Sequence, residues 1–364
     1  MHNTLRFISV FYIILLSTGL FAHVEIIPIL LSTAKRDAWI SILLTVFILP
    51  LWIYVLYKIV AILNKHSIIQ LIKDHGSLLC YYSLLLPLAF YMLFDAFATA
   101  KEIIYWSQLS YMQGFNSFTL ALVLLIFCLF CTESGLFSIG LLSSILCPFV
   151  LLLGFFIAFA NVKKKHFELL FPVFIDGYLP IIKGLLYTSL PILELFIIIF
   201  LTPVLKKTVS RKQLFIVGLV ILGLMIGPTI GAIVEFGPDQ ASKYRYPAFE
   251  QWRLISIGRY FSHTDFFAIY QWISGGVIRI SLFVFISCKI LTKGITNIKV
   301  VRIIYTILFI ACIYPFDQSA LATLIYGYFR PSSFFLLTFQ IVILAFFIVK
   351  NKQKWSGEAG LNHE

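Results

Sequence analysis

The chain has 364 residues, 60% of them hydrophobic and only 12% charged, with a formal net charge of +12 and a mean hydropathy of +0.97. Soluble domains carry roughly a quarter charged residues, so this composition excludes a water-soluble globular protein and points to the lipid bilayer. The positive charge suits anionic lipid at the membrane surface rather than nucleic acid, for which there is no basic groove or recognition module.

A membrane span needs about 20 apolar residues. On that measure the chain predicts about ten transmembrane helices, at 5–34, 38–61, 78–100, 115–132, 135–160, 179–205, 213–235, 264–291, 300–322 and 332–350. The runs are long, rich in Leu, Ile and Phe, and lack period-2 alternation, which excludes an outer-membrane barrel. Arg6 ahead of the first run superficially resembles a signal peptide. No small-residue cleavage pattern follows, however, and the apolar pattern continues to Leu31.

The first run stalls at Gly19-Leu20-Phe21-Ala22-His23-Val24-Glu25 and resumes through Pro28. Lipid can neither solvate a charge nor hydrogen-bond a backbone, so such an interruption must face protein or a water-filled cavity. Asp37 then stands where it can cap the second helix, and Trp39 where an interfacial ring is comfortable. Tyr91 and Asp95, four residues apart in the third span, project from one helix face. Cys128 and Cys131 also share a face, but no histidine or second cysteine pair accompanies them, so they read as packing thiols. No metal or other cofactor is expected.

The sixth run repeats the oddity of the first, with Gly184, Thr188, Ser189, Pro191 and Glu194 inside an apolar stretch. Two interpretations stay open. Both helices are broken at mid-membrane, or Pro28 and Pro191 merely kink continuous helices. Breaks in spans one and six correspond if the chain is one permease-like domain of two five-helix halves, about 5–160 and 179–350, followed by a tail at 351–364. That is an all-α, 5+5 inverted-repeat (LeuT-like) bundle. The symmetry rests on hydropathy, since the halves share no evident identity.

Lys and Arg concentrate in the segments that would be cytoplasmic if both termini face inside, and Lys35, Arg36, Lys101 and Arg330 are assigned to short external loops. The segment Pro238–His263 mixes aromatic residues with Arg and Glu, as an external amphipathic helix or lid would, acting as a gate or as an interfacial anchor. Arg279 lies deep in the eighth span, cannot lose its proton, and should pair with Glu194 or Asp95.

Broken helices would expose main-chain dipoles to a small zwitterion. The candidate ligand-binding residues are Gly19, His23, Val24, Tyr91, Asp95, Thr188, Leu190, Glu194 and Trp272, with Arg279 and Glu194 as a gating or structural ion pair. Each has a plainer reading. Glu194 can be a protonated acid bonding a neighbouring helix, His23 a satisfied core histidine, and Glu25 a solvated residue at the cavity's outer end. No catalytic residue is proposed, because nucleophile elbow, P-loop and zinc-binding His-Glu patterns are all absent.

The string His23-Val24, Pro28, Leu30-Leu31, Arg36-Asp37-Ala38-Trp39 resembles the opening signature of the spore-germination B-subunit family (GerAB type), within the amino acid–polyamine–organocation superfamily. Phe171-Pro172 with Gly177, Pro180 and Gly184, Glu194 with Pro203, and Tyr246-Pro247, Ile255-Ser256-Ile257, Asp265, Trp272 and Arg279 extend the resemblance across the chain. It departs at Ala22, where a polar residue is expected, at Leu141, near the place of an arginine, and at Arg279, where many members carry lysine.

The resemblance implies a multi-pass protein of the bacterial spore's inner membrane and the permease-like subunit of a nutrient germinant receptor. Its partners would be a large A subunit and a lipoprotein C subunit, and its ligand a small nutrient, typically an L-amino acid. A secondary active amino-acid transporter, driven by protons or sodium, would use the same architecture and stays open.

Overall fold

The computed structural model describes residues 4–255 and 264–352, and these are dominated by α-helix. In chain order the helices are α1 (Phe7–Leu20), α2 (Ile27–Ala34), α3 (Ala38–Leu63), α4 (Ile68–His75), α5 (Leu78–Leu109), α6 (Ser117–Glu133), α7 (Gly135–Ala160) and α8 (Leu179–Leu193). They are followed by α9 (Ile198–Leu201), α10 (Arg211–Phe236), α11 (Pro238–Ala241), α12 (Pro247–Arg253), α13 (Phe266–Leu291), α14 (Ile298–Ile313), α15 (Gln318–Ala322) and α16 (Arg330–Lys350). Among the described residues, seven helical stretches are long and apolar enough to cross a membrane. The first of these, Phe7–Leu63, contains a change of direction at Lys35, where φ is +42°.

Neither the first nor the sixth run is unwound, which corrects the expectation of broken helices. Residues Phe21–Ile26 form a π-helical turn between α1 and α2, and Glu194–Ile197 form a tight 3₁₀ turn between α8 and α9. A wider or tighter turn rotates the side chains that follow while keeping the backbone hydrogen-bonded, so a water-free interior tolerates it where an open break would cost several kcal/mol per orphaned group. Pro28 follows directly on the π-helical turn, at the start of α2, where the departure from α geometry accommodates its ring and its missing N–H.

The expected ninth span, 300–322, is also corrected. Helix α14 ends at Ile313, and Tyr314 adopts extended ψ of 131° because Pro315 follows it. Asp317 then caps α15 by accepting from the Ala320 amide at 2.7 Å. From there α15, a second π-helical turn (Thr323–Phe329) and α16 run on as one stretch, Gln318–Lys350. The third run extends to Leu109 rather than ending near 100. Asp37 does not cap α3; its carboxylate accepts instead from the Phe174 amide at 2.9 Å, across the bundle.

Helix α13 is the hub, buried from Trp272 to Ile290 and packed against α1, α5, α6 and α7, while α3 holds α8 and α10. By contrast α7 turns an apolar stripe outward, with Leu141, Ile145, Phe149, Leu152, Phe155 and Phe159 exposed at helical spacing, as a lipid-facing surface requires. The Leu5 and Lys206 amides bond Val204 and Leu5 carbonyls at 2.6 and 2.9 Å, pinning the start of the first helix to the end of the sixth run.

The hub is tight where α1 crosses α13. A Cβ on Gly275 would stand 2.9 Å from the Leu16 carbonyl oxygen and 2.8 Å from Leu20 Cβ, and the carbonyl cannot move without unravelling α1. Gly275→Val should therefore cost about 1–3 kcal/mol through overpacking and lower the thermal midpoint of detergent-solubilised protein. Gly154→Ala, at a position with nothing within 4 Å of its Cβ, should leave that midpoint unchanged or raise it.

Candidate functional site: a buried charge network beside a cavity

Five charged side chains meet inside the bundle, each 3% exposed or less: Glu25, Asp95, Glu194, Arg279 and Arg330. Asp95 lies at the centre, one oxygen accepting from Arg279 and the other from Arg330. Glu194 takes a two-pronged contact from Arg279, at 2.5 and 2.9 Å, and a hydrogen bond from the Tyr91 hydroxyl at 2.5 Å. Glu25 accepts from Arg330 and, at 2.9 Å, from the Thr99 hydroxyl. Arg279 also donates to the Ser17 carbonyl at 3.1 Å.

Local structure explains the convergence. Tyr91, Asp95 and Thr99 follow one another at four-residue spacing on one face of α5. Glu25 comes from the first π-helical turn, Glu194 opens the 3₁₀ turn, and Arg330 directly follows the second π-helical turn. The Phe21 ring packs against both guanidiniums, its centre 4.5 Å from Arg279 Cζ and 4.4 Å from Arg330 Cζ, and the Phe283 ring lies 4.5 Å from Arg279 Cζ. Three carboxylates face two guanidiniums, so the Tyr91 and Thr99 hydroxyls supply the remaining donors that a dry site demands.

A cavity of about 350 Å³ lies beside this network, bounded by α1, α7, α10, α12 and α13. Its walls are largely apolar, including Leu15, Leu20, Val150 and Leu224. Gly154, Gly223 and Gly227 also line it, and a Cβ at any of the three would meet nothing within 4 Å. Lys165 and Glu235 are also among its lining residues.

Helix α12 forms the roof. The Trp252 indole donates to Gln271 at 3.1 Å, Gln251 to the Pro228 carbonyl at 3.2 Å, and Asn161 to the Gln251 carbonyl at 2.8 Å. The segment leading into the roof is tied to α5, where Glu102 accepts from Arg245 at 2.7 Å and from the Tyr246 hydroxyl at 2.8 Å. Burial works against the Arg245 cation, but the Glu102 carboxylate outweighs it and raises the pKa, so the arginine stays charged. Of the expected lid Pro238–His263, residues 256–263 lie outside the described residues, among them Ser256, Ile257, Tyr260 and Phe261.

The spore germination protein family matches residues 4–321. Spore germination protein XB of Bacillus anthracis is 35% identical over 356 residues, covering 96% of this chain and 99% of that protein. The chain belongs to the spore germination protein family, of GerAB type.

In this spore germination permease-like protein, the residues singled out from sequence divide into two groups. Gly19, His23, Val24 and Trp272 line the cavity. Tyr91, Asp95, Glu194 and Arg279 belong to the charge network, and Arg279 pairs with both acids considered for it. Thr188 and Leu190 lie in neither: the Thr188 hydroxyl contacts that of Thr45 at 2.5 Å, and Leu190 is buried in the apolar core. His23 bonds the Leu224 carbonyl through Nδ1 at 3.2 Å.

Three assignments change. Glu25 is not at a solvated outer end but is buried and paired with Arg330. Arg330 and Lys101 are not external-loop residues. Arg330 is fully buried, and Lys101 is 6% exposed, donating to the Cys312 and Tyr314 carbonyls at 2.7 and 2.9 Å, where α14 ends. The usable signal for Arg330 is that the acids of the apolar runs outnumber Arg279, so a second buried cation is required.

Removing one partner of a buried ion pair costs about 3–5 kcal/mol, because the other charge is left unpaired. Arg330→Met should accordingly deplete folded protein from membranes, read by quantitative immunoblotting, and Glu25→Gln in the same chain should restore part of it. Arg330→Lys should not rescue, because one ammonium lacks the two-sided fork that reaches both Glu25 and Asp95.

Proposed function

We propose that this protein is the B subunit of a nutrient germinant receptor in the spore inner membrane. It binds a small nutrient in the cavity under α12 and passes the binding signal to a large A subunit and a lipoprotein C subunit. The observation that carries this reading is a mostly apolar cavity of about 350 Å³ between α1, α7, α10, α12 and α13 of a spore germination family member. That volume falls in the range of about 300–1,000 Å³ typical of small-molecule sites. The ten-helix, 5+5 inverted-repeat arrangement with both termini cytoplasmic is part of the same proposal.

The mechanism is a population shift. The cavity and the charge network share α1 with its π-helical turn and α13, so a ligand that favours one packing of these elements biases the network as well. The signal is then a change of bundle packing at the surface offered to the A subunit. A proton- or sodium-coupled transporter would use the same cavity. Vesicle uptake separates the two, since accumulation of a nutrient against its gradient belongs to the transporter alone.

Gly223 and Gly227 provide the test, because both line the cavity and a Cβ at either would meet nothing within 4 Å. Spores carrying Gly223→Leu or Gly227→Leu should need at least tenfold more nutrient for half-maximal germination. The protein level should not fall, since replacing a helical glycine is itself favourable by up to about 1 kcal/mol. A normal dose response in both variants, measured by loss of spore optical density, would remove the cavity from the receptor's function.

A further inference from the structure

We propose that the segment joining α7 to α8, residues 161–178, is a lipid anchor. Its apolar side chains enter the phospholipid head-group region at that end of the bundle, while Arg36 and Asp37 hold its backbone in place. Phe171, Ile175 and Tyr178 do not line the cavity, so this role is the same in a receptor or a transporter.

Two stretches of sequence that neither the cavity nor the charge network explains meet here. Arg36 and Asp37, at the turn between α2 and α3, grip the segment through its main chain. Arg36 donates to the Pro172 carbonyl at 3.3 Å, and the Asp37 carboxylate accepts from the Phe174 amide at 2.9 Å. Phe174 has a φ of +62°, a left-handed conformation that a bulky side chain seldom adopts, so the bond from its amide holds a backbone that would otherwise relax. Gly177 follows at φ +76°, and its amide closes the turn on the Phe174 carbonyl at 3.1 Å. Nearer α7, the His166 amide bonds the Val234 carbonyl of α10 at 2.9 Å.

With its backbone held in this way, the segment leaves Phe171, Phe174, Ile175 and Tyr178 exposed, and the row continues into α8 at Leu179 and Ile182. Ile175 and Tyr178 are 62% and 69% exposed, and a patch of this kind marks an interaction surface. Its surroundings favour lipid as the occupant. The outward stripe of α7 ends at Phe155 and Phe159, and Val162 just beyond is exposed as well, so along the chain the patch continues a lipid-facing surface. Charges are interspersed with it: Lys163 and Lys183 are exposed, as are Glu168 beside His166 and Asp176, 3.9 Å from Lys35. That mixture suits the head-group level, where cations meet phosphate and aromatic rings are comfortable, rather than the hydrocarbon core. It suits the centre of a protein–protein interface poorly, since such centres are depleted in charge.

The test uses the full chain in nanodiscs of mixed zwitterionic and anionic phospholipid. A photoreactive benzoylphenylalanine replaces Phe171, Ile175 or Tyr178, or, as a control, the exposed Gln240 of α11, which packs at the same end of the bundle. After irradiation, intact-mass spectrometry should find a phospholipid adduct at each of the three positions, about tenfold above that at Gln240. Asp37→Ala should lower the adduct at position 175 severalfold. Asp37→Asn should keep it, because the amide oxygen still accepts from Phe174.

Adducts no more abundant than at Gln240 would overturn the lipid assignment, as would capture of a protein in place of lipid at these positions in spore membranes. An unchanged adduct in Asp37→Ala would overturn the role given to the α2–α3 turn. Hydroxyl-radical footprinting of the unsubstituted protein in the same nanodiscs needs no variant. Phe171, Phe174 and Tyr178 should oxidise as slowly as the lipid-facing Phe155 and Phe159, and oxidation at the rate of denatured protein would overturn the proposal even if a substituted chain folds poorly.

Discussion

The structure turns on the need to keep five charges out of lipid and paired with one another. Each of Glu25, Asp95, Glu194, Arg279 and Arg330 would be costly alone in a hydrocarbon environment. Together they form one network with two hydroxyl donors and an aromatic ring packed on both guanidiniums. Regular α-helices bring Asp95 and Arg279 into line, but the other three arrive on or beside turns that depart from α geometry. Such turns re-aim a side chain without releasing backbone groups, which explains their use where an open break could not be solvated.

The cavity and the network are separate spaces with common walls. In the first run Phe21 and Glu25 serve the network, while His23 and Val24 face the cavity. In α13, Trp272 and Gly275 line the cavity and Arg279 lies further along the same helix. A change in how α1 meets α13 is therefore felt in both places, and the crossing at Gly275 is close enough to leave no space for even a Cβ. This is the physical basis of the proposed switching between packings.

Much of the network was legible in the sequence. Glu194 and Arg279 are charges inside apolar runs, which must find partners, and Asp95 sits one helical turn from Tyr91 on the same face. Arg330 and Lys101 were misplaced because hydropathy assigns charges at the edges of apolar runs to loops. In the fold Arg330 opens a helix that continues from α15, and Lys101 satisfies the carbonyls left free where α14 stops. The interruption in the first run was visible, but its form was not. The same residues fit an open break or a π-helical turn, and it is the turn that packs against α8 and α10.

The sequence by itself determined that the protein is helical and membrane-embedded, that its first and sixth runs are irregular, and that its buried charges must pair. These follow from composition and period, which act locally along the chain. Only the tertiary structure decided which charges meet and that a cavity opens under α12 rather than at Glu194. It alone brought Lys165 and Glu235, seventy residues apart in sequence, together in the wall of that cavity. The reason is physical. Pairing and cavity shape depend on how helices distant in sequence cross, and the rotation that each irregular turn imparts is settled by the neighbours it packs against.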